Sequence, residues 1–306
     1  MYYIINVQES KKMKTDKKRI LVHILSILLA ISLFGLALYF DAYNTAPSRF
    51  QVRYETLDSV FIPSQMDDVT ILYFSDLDYG TYMDRKRMEK LTGIINELSP
   101  DIILFGGDLF DQNARISEQE RTDVTELLSS MHAPLGKFAV LGDFDYRTPE
   151  LPEIVQSVLF DSDFELLVNT SVILRNNGSE SITLTGLDSG LYGHPDINAA
   201  FANIGRAGYN IVLSHTPDLA EDVPSDLADY MLSGHSHGGQ AYWGFGALYT
   251  PPQAEMFFRG KHDIKGLFTL DITNGVGTTE QDVRFLANAE VDLYRLKHHS
   301  METVGS

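Results

Sequence analysis

Five short apolar runs in this 306-residue chain each end at an aspartate or a histidine. Runs of this length, bounded by glycine or serine, are typical of buried β-strands. The runs are Ile71–Asp76, Ile102–Asp108, Phe138–Asp143, Ile211–His215 and Tyr230–His235, with His237 two residues beyond the last. In open α/β sheets, ligands bind beyond the carboxyl ends of the strands. The pattern therefore predicts a sheet edge that carries three carboxylates and three imidazoles, a set that suits two divalent cations better than one.

The residues around these strand ends form short motifs in a fixed order. They read Asp76-Leu77-Asp78, Gly107-Asp108-Leu109-Phe110-Asp111, Gly142-Asp143-Phe144-Asp145, Ser214-His215 and Gly234-His235-Ser236-His237-Gly238-Gly239-Gln240. This order resembles the D-x-H, G-D-x-x-D, G-N-H-D/E, lone His and G-H-x-H signature of the calcineurin-like metallophosphoesterases. The resemblance covers roughly residues 50 to 297. The closing segment Gly260–Leu296 resembles the membrane-anchored, YkuE-like branch, which includes relatives of lipid-sugar pyrophosphatases.

The resemblance implies an α/β fold, the four-layer αββα metallophosphoesterase sandwich, preceded in this chain by one N-terminal transmembrane helix. It also implies seven metal ligands divided between two cations. The set is Asp76, Asp78 and His237 for one cation, Asp143, His215 and His235 for the other, and Asp108 as the bridge. Two cations that share a water can lower its pKa and clamp an in-line phosphoryl displacement. Asp108 and Asp143 are therefore expected as catalytic residues, while Asp111 and Asp145 are expected to orient the ligands.

Two ligand positions depart from the family pattern. Asp78 stands at the family's histidine position, and Asp143 stands at its asparagine position. With Asp76 and Asp108, the site then has four carboxylates, which cancel the charge of two dications and weaken the acidification of a shared water. Oxygen-rich ligation favours Mn²⁺ or Mg²⁺, with Fe or Zn²⁺ as alternatives.

A third departure concerns the proton donor. Phe144 occupies the position of the family's catalytic histidine, and a phenyl ring cannot transfer a proton. Removing a positioned acid forfeits ~10²–10⁴-fold in rate, most for an alkoxide leaving group and least for an aryl oxide or a phosphate. Arg147 is expected to supply charge to the transition state, although a surface arginine on a loop is the alternative.

The N-terminal region predicts where the protein is located. Residues 1–19 form a basic segment, which we expect in the cytoplasm, and residues 20–40 form an apolar stretch long enough to cross a membrane. The alternative is a cleaved signal peptide, but this stretch exceeds the usual apolar region of roughly 7–15 residues. We therefore expect an uncleaved anchor in the cell membrane. Because the bases precede the stretch, the catalytic domain is expected to be extracellular.

The remaining boundaries follow from composition and periodicity. We expect a stalk at 41–50, a metallophosphoesterase domain at 51–298 and a tail at 299–306. Periodicity predicts a mainly parallel sheet up to residue 145. The predicted elements are an edge strand Gln51–Leu57, helices Arg85–Leu98, Ser117–Met131 and Pro149–Leu159, a hairpin of Ser171–Arg175 with Ser181–Leu187, and strands Gly266–Ile272 and Glu290–Leu296 in a second sheet.

Composition narrows the function. The chain has no cysteine and a formal net charge of −18, which exclude thiol chemistry and disfavour nucleic acid as a partner. We expect a phosphodiesterase or pyrophosphatase that cleaves a small-molecule or lipid-linked phosphoester at the outer face of the membrane. The competing hypothesis is a degenerate member that binds metal or ligand without efficient turnover and acts as a sensor or an assembly partner.

Overall fold

The computed structural model describes residues 2–205, 208–243, 245–247 and 250–300. The chain divides into two compact units, residues 1–45 and residues 46–306. Helix α1 (Tyr2–Phe40) forms most of the first unit and is followed by a π-helical turn, Asp41–Thr45. The helix contains a stretch that is long and apolar enough to cross a membrane, with a mean hydropathy of 2.6. Its apolar side chains between Ile20 and Phe40 are exposed, as expected for a surface that contacts lipid.

Two six-stranded sheets organise the second unit. In spatial order, the first sheet contains β1 (Gln51–Ser59), β12 (Glu290–His298), β2 (Thr70–Phe74), β3 (Ile102–Phe105), β4 (Lys137–Ala139) and β5 (Phe164–Leu166). The second sheet contains β10 (Gly260–Ile264), β11 (Phe268–Ile272), β9 (Tyr230–Ser233), β8 (Asn210–Leu213), β7 (Ile182–Gly186) and β6 (Thr170–Leu174).

Strand direction places the candidate ligands. Strands β2, β3, β4 and β5 are mutually parallel, so their carboxyl ends lie at the same edge of the first sheet. Strands β7, β8, β9 and β11 are parallel in the second sheet, and the antiparallel strands β6 and β10 close its two sides. The predicted β6–β7 hairpin and the mainly parallel sheet up to residue 145 are thus confirmed.

Helices cover the outer faces of both sheets. Helices α2 (Arg85–Leu98), α3 (Glu118–Ser129) and α4 (Leu151–Asp161) pack on the first sheet, while α5 (Ile197–Phe201) packs on the second. Alternate residues of β2 face opposite sides, because Phe74 packs under the helices and Tyr73 packs between the sheets. One hydrophobic core lies between the sheets and one lies under each helical layer, which confirms the four-layer αββα sandwich.

Local sequence signals explain why α2 and α3 begin where they do. The Asp84 carboxylate accepts a hydrogen bond from Arg87 N at 2.8 Å and caps α2. Ser117 and Glu120 form a reciprocal capping box at the start of α3. The predicted helix Arg85–Leu98 is observed with these bounds, and the other two predicted helices are observed within two residues at each end.

The last strand departs from expectation. The strand at Glu290–Leu296 was predicted in the second sheet, and this is wrong, because β12 lies between β1 and β2 in the first. It is buried on both faces, since Val291 packs under the helices and Tyr294 packs between the sheets. Strand β11 lies in the second sheet, as predicted. Strand β1 lies at the edge of the first sheet, which confirms the predicted edge strand.

The boundary of the second unit also differs from the expected stalk at 41–50. Ala46 and Pro47 are buried, and Phe50 packs in the core under the helices. Lys90 Nζ donates a hydrogen bond to Ser48 O at 2.6 Å. The second half of the expected stalk is therefore part of the domain, because its apolar side chains are covered by it. Of the expected tail 299–306, residues 301–306 lie outside the described residues.

Candidate metal centre

The structure brings all seven predicted ligands to the same place. They follow the carboxyl ends of β2, β3, β4, β8 and β9, and their side chains are buried. The seven are Asp76, Asp78, Asp108, Asp143, His215, His235 and His237. The ligand-bearing strands come from both sheets, so the cluster lies where the ends of the two sheets meet.

The backbone at this cluster is strained. Five of the seven ligands have left-handed backbone conformations, with φ between 48° and 66°; they are Asp76, Asp78, Asp108, His235 and His237. Residues other than glycine adopt this region infrequently, and such conformations cost ~1–3 kcal/mol each. Strain of this kind persists where the surrounding structure enforces it.

The distances define two groups of ligands. In the first, His237 Nε2 lies 3.7 Å from Asp76 Oδ1 and 3.5 Å from Asp78 Oδ2. In the second, Asp143 Oδ2 lies 3.0 Å from His235 Nδ1 and 3.8 Å from His215 Nε2. These are the two groups that the resemblance implied.

Asp108 connects the two groups. Its Oδ2 lies 3.1 Å from His215 Nε2, and ligand atoms of Asp108, His215 and His235 lie within 4.8 Å of one another. Burial raises the pKa of Asp78 in the other group, and the Asp108 charge adds to this shift. Asp108 is therefore the carboxylate that interacts with members of both groups.

Two imidazoles are held by backbone carbonyl groups. His215 Nδ1 lies 2.8 Å from Gly106 O, and His235 Nε2 lies 2.7 Å from Pro252 O. A ring nitrogen that donates to a carbonyl leaves the other nitrogen as an acceptor, which is the form that binds a metal. His215 thus presents Nε2 to the cluster, and His235 presents Nδ1.

The donor atoms fit divalent cations. Both carboxylate oxygens of Asp78, Oδ2 of Asp108 and of Asp143, and Nε2 of His215 are buried without a hydrogen-bond partner among the described residues. Buried polar atoms are normally paired, so several unpaired ligand atoms facing one another require another explanation. Carboxylate and imidazole donors at these distances suit Mn²⁺, Mg²⁺, Fe or Zn²⁺.

The pKa shifts of the clustered carboxyl groups also favour a site for cations. Burial raises the pKa of Asp78 well above its ordinary value, and the charges of Asp108 and Asp76 add to this. Burial also raises the pKa of Asp108, although His215 opposes it. Burial acts in the same direction on Asp143, but His235 and His215 hold its pKa at about 2. Crowded carboxylates of this kind are stabilised by protons, imidazolium groups or metal cations.

Asp145 fixes the two loops that carry Asp108 and Asp143. Its carboxylate accepts hydrogen bonds from the backbone N–H groups of Asp108 at 3.0 Å, Leu109 at 2.9 Å and Gly142 at 2.8 Å. The loops approach so closely that a side chain at Gly142 would collide with the Asp108 carboxylate. Asp111 instead orders the loop beyond Asp108, since its Oδ1 accepts from Thr81 Oγ1 at 2.7 Å and from Asn113 N at 2.8 Å.

The structure places Arg147 differently from the expected transition-state role. Its guanidinium donates to the carbonyl oxygen of Asp111 and, at 2.8 Å, to that of Ala114. Nη1 and Nη2 therefore both hold the loop after Asp108. We assign it a positioning role, because its hydrogen bonds are made to protein backbone.

Sequence reasoning missed two groups of supporting residues. The fully buried Arg284 donates to the carbonyl oxygens of His237 at 3.2 Å and Asn274 at 2.7 Å, and burial lowers its pKa to about 10. Ser189 Oγ donates to Asp143 Oδ1. No sequence motif identifies Arg284, because it is a single arginine in a loop. Ser189 could have been found, because β7 belongs to a sixth apolar run that is followed by Asp188-Ser189.

A cavity of about 700 Å³ opens beside the cluster. His235, His237, Phe144, Tyr192, Gln240 and Pro252 line it. Of the described residues in its lining, Glu280 is the one carboxylic acid, and none is a lysine or an arginine. The cavity therefore offers mainly apolar and amide contacts next to the ligand cluster.

The chain has relatives among known proteins. Residues 69–239 match the family model described as calcineurin-like phosphoesterase. The chain is similar to the uncharacterized metallophosphoesterase YkuE of Bacillus subtilis, with 29% identity over 86% of this chain and 90% of that protein. It is also similar to the UDP-2,3-diacylglucosamine pyrophosphatase LpxG of Chlamydia trachomatis, with 28% identity over 58% of this chain and 66% of that protein. Among solved structures, YfkN of Bacillus subtilis aligns over 68% of this chain and 82% of its own, with 16% identity and a TM-score of 0.41.

Proposed function

The chain belongs to the calcineurin-like phosphoesterase family, and on that premise we propose that it is a metal-dependent phosphoester hydrolase, a phosphodiesterase or pyrophosphatase. The observation that carries the proposal is the convergence of buried, unpaired ligand atoms from Asp78, Asp108, Asp143 and His215. His235 and His237 of the same cluster line a cavity large enough for a small-molecule substrate.

The chain's own residues have distinct roles in this proposal. Asp76, Asp78 and His237 would hold one cation, Asp143, His215 and His235 would hold the other, and Asp108 would lie between them. Two divalent cations, which we propose are Mn²⁺ or Mg²⁺, supply Lewis acidity and an activated water when bound. Asp145 and Arg147 keep the loops that carry Asp108 and Asp143 in position.

The lining of the cavity favours particular substrates. Phe144 contributes a phenyl ring to the lining where the family has a proton donor, so leaving groups that need no proton are favoured. Aryl phosphodiesters and pyrophosphates have such leaving groups. The similarity to LpxG, named as a pyrophosphatase of a diacylated sugar nucleotide, supports a lipid-linked or small-molecule phosphoester as the substrate.

We further propose that the domain lies on the extracellular side of the cell membrane. The candidate membrane span near the N-terminus follows a basic segment, and such segments stay in the cytoplasm. Protease added to intact cells should therefore digest the domain. Protection of the domain in intact cells, with digestion after lysis, contradicts this orientation.

Hydrolysis of bis(p-nitrophenyl) phosphate tests the proposed reaction. Full-length protein in detergent, stripped with chelator and reloaded with Mn²⁺, should release p-nitrophenol, and Asp108→Asn should abolish the release. Absence of turnover by the wild type at full metal occupancy contradicts the proposal. That result favours the second candidate function, a metal-binding sensor or assembly partner, which the replacement of the family's catalytic histidine by Phe144 supports.

A further inference from the structure

A short hairpin displays two large aromatic side chains to solvent. Tyr242 pairs with Ala247 in an antiparallel bridge, and Trp243 N donates to Gly246 O at 3.2 Å. Phe245 at the tip is fully exposed, and 56% of the Trp243 surface is exposed. Large apolar side chains displayed together on a turn indicate a contact surface.

The base of this hairpin is fixed to the domain. The Trp243 ring lies 4.8 Å from the ring of Phe285, and the Arg259 guanidinium lies 4.6 Å above the Tyr242 ring. Leu286, next to Phe285 in the chain, is 57% exposed. We call Trp243, Phe245 and Leu286 the tip patch.

We propose that the tip patch inserts into the surface of a lipid bilayer. Tryptophan and phenylalanine are the side chains that membrane-surface segments bury at the boundary between headgroups and acyl chains. The candidate membrane span in α1 would also attach the domain to a bilayer. Only the π-helical turn Asp41–Thr45 separates the end of α1 from the second unit, so the candidate membrane span lies a few residues along the chain from the domain.

Charge indicates how the contact is made. The chain has a formal net charge of −18, so attraction to anionic headgroups contributes little to binding. Insertion therefore depends on apolar burial and should be insensitive to salt.

The hairpin is continuous with the cavity beside the metal cluster. Gln240 and Ala241, which lead into it, line that cavity, and Ala241 forms a bridge with Phe285. Insertion of the tip patch would hold this wall of the cavity at the lipid surface. The interaction requires no metal and no turnover, so it stands independently of the proposed reaction.

Trp243 is the only tryptophan in the chain and reports on its own surroundings. Full-length protein is reconstituted in phosphatidylcholine nanodiscs at one chain per disc, with plain or brominated acyl chains. We expect brominated chains to quench Trp243 emission at low and at high salt. Phe245→Ser should weaken the quenching. Phe160→Ser, which removes a 77% exposed phenyl ring from α4, should leave it unchanged.

Equal emission in plain and brominated discs overturns the proposal, as does quenching that Phe245→Ser leaves intact. The proposal is also overturned if the Trp243 emission shifts to the blue only in discs that hold several chains, whether or not the lipids are brominated. The tip patch then contacts a second copy of the chain. Hydrolytic assays on the same samples separate this result from the proposed reaction, since loss of quenching and loss of turnover are measured independently.

Discussion

Asp108 Oδ2 lies 3.1 Å from His215 Nε2, and neither atom has a hydrogen-bond partner among the described residues. The other oxygen of Asp108 accepts a hydrogen bond from Phe144 N at 2.8 Å. One oxygen of this carboxylate is thus fixed by the backbone, while the other faces an imidazole whose own orientation is fixed by Gly106. This arrangement distinguishes Asp108 from Asp78, both of whose oxygens are unpaired.

We predict that Asp108→Asn lowers metal content more than Asp78→Asn does. Asp108 lies between both groups of ligands, whereas Asp78 belongs to one group. Elemental analysis of full-length protein purified without chelator measures the effect. Metal content equal to that of the wild type in Asp108→Asn would falsify the bridging role.

We predict that Phe144→His accelerates the hydrolysis of alkyl phosphoesters more than that of aryl phosphoesters, by up to ~10²–10⁴-fold. The phenyl ring lines the cavity, so an imidazole in its place can reach a leaving group. The ratio of the two rates is the measurement. Val283→His, on another part of the cavity lining, is the matched control and should leave the ratio unchanged.

An unchanged ratio in Phe144→His, with bound metal and measurable turnover of both substrates, contradicts the prediction. The missing proton donor would then not be what limits this site.

We predict that Asp145→Asn destabilises the domain by about 1–3 kcal/mol. The carboxylate accepts three backbone N–H groups, and an amide must turn its own N–H₂ toward at least one of them. Thermal unfolding of the full-length protein measures the loss, and Asp161→Asn, an exposed aspartate on α4, is the control. Equal unfolding temperatures for Asp145→Asn and the control contradict the prediction.

A buried acid outside the ligand set makes the stability of the domain depend on pH. Burial raises the pKa of Asp292 to about 7, although the Arg53 guanidinium, 2.8 Å away, opposes the shift. A carboxyl whose pKa is raised by folding stabilises the folded protein fully below its ordinary value of 3.8, and this contribution is lost as pH rises through about 7.

Asp292→Asn removes this dependence, because the amide does not titrate. The stability of the wild type relative to this variant should therefore fall between roughly pH 4 and pH 8. Arg53 keeps Asp271 as a partner at 2.9 Å in the variant. Thermal unfolding of both proteins across this range is the measurement, and a constant difference between them contradicts the assignment.

Much of the site could be predicted because its ligands follow strands with strong local signals. The run Ile102–Phe105 is a buried strand in the structure, and Asp108 lies just beyond its end. Parallel strands bring such ends together whatever the details of the loops between them. The order of the motifs then predicted the remaining ligands, by resemblance to the family.

Other features depend on long-range packing that local patterns do not encode. The apolar alternation of β12 fits either sheet, and only its position between β1 and β2 decides which. Arg284 donates hydrogen bonds to carbonyl oxygens of residues that are distant in sequence, such as His237. Arg147 lies near Asp143 in the sequence, but local patterns do not show that it donates to the carbonyl oxygens of Asp111 and Ala114.

Anomalous scattering from crystals of protein purified without chelator tests the central claim most directly. We predict two peaks, one beside Asp76, Asp78 and His237 and one beside Asp143, His215 and His235, with the Asp108 carboxylate between them. Absorption-edge data from the same crystals identify the elements. A cluster without any anomalous peak, in crystals from protein loaded with excess Mn²⁺, would contradict the account.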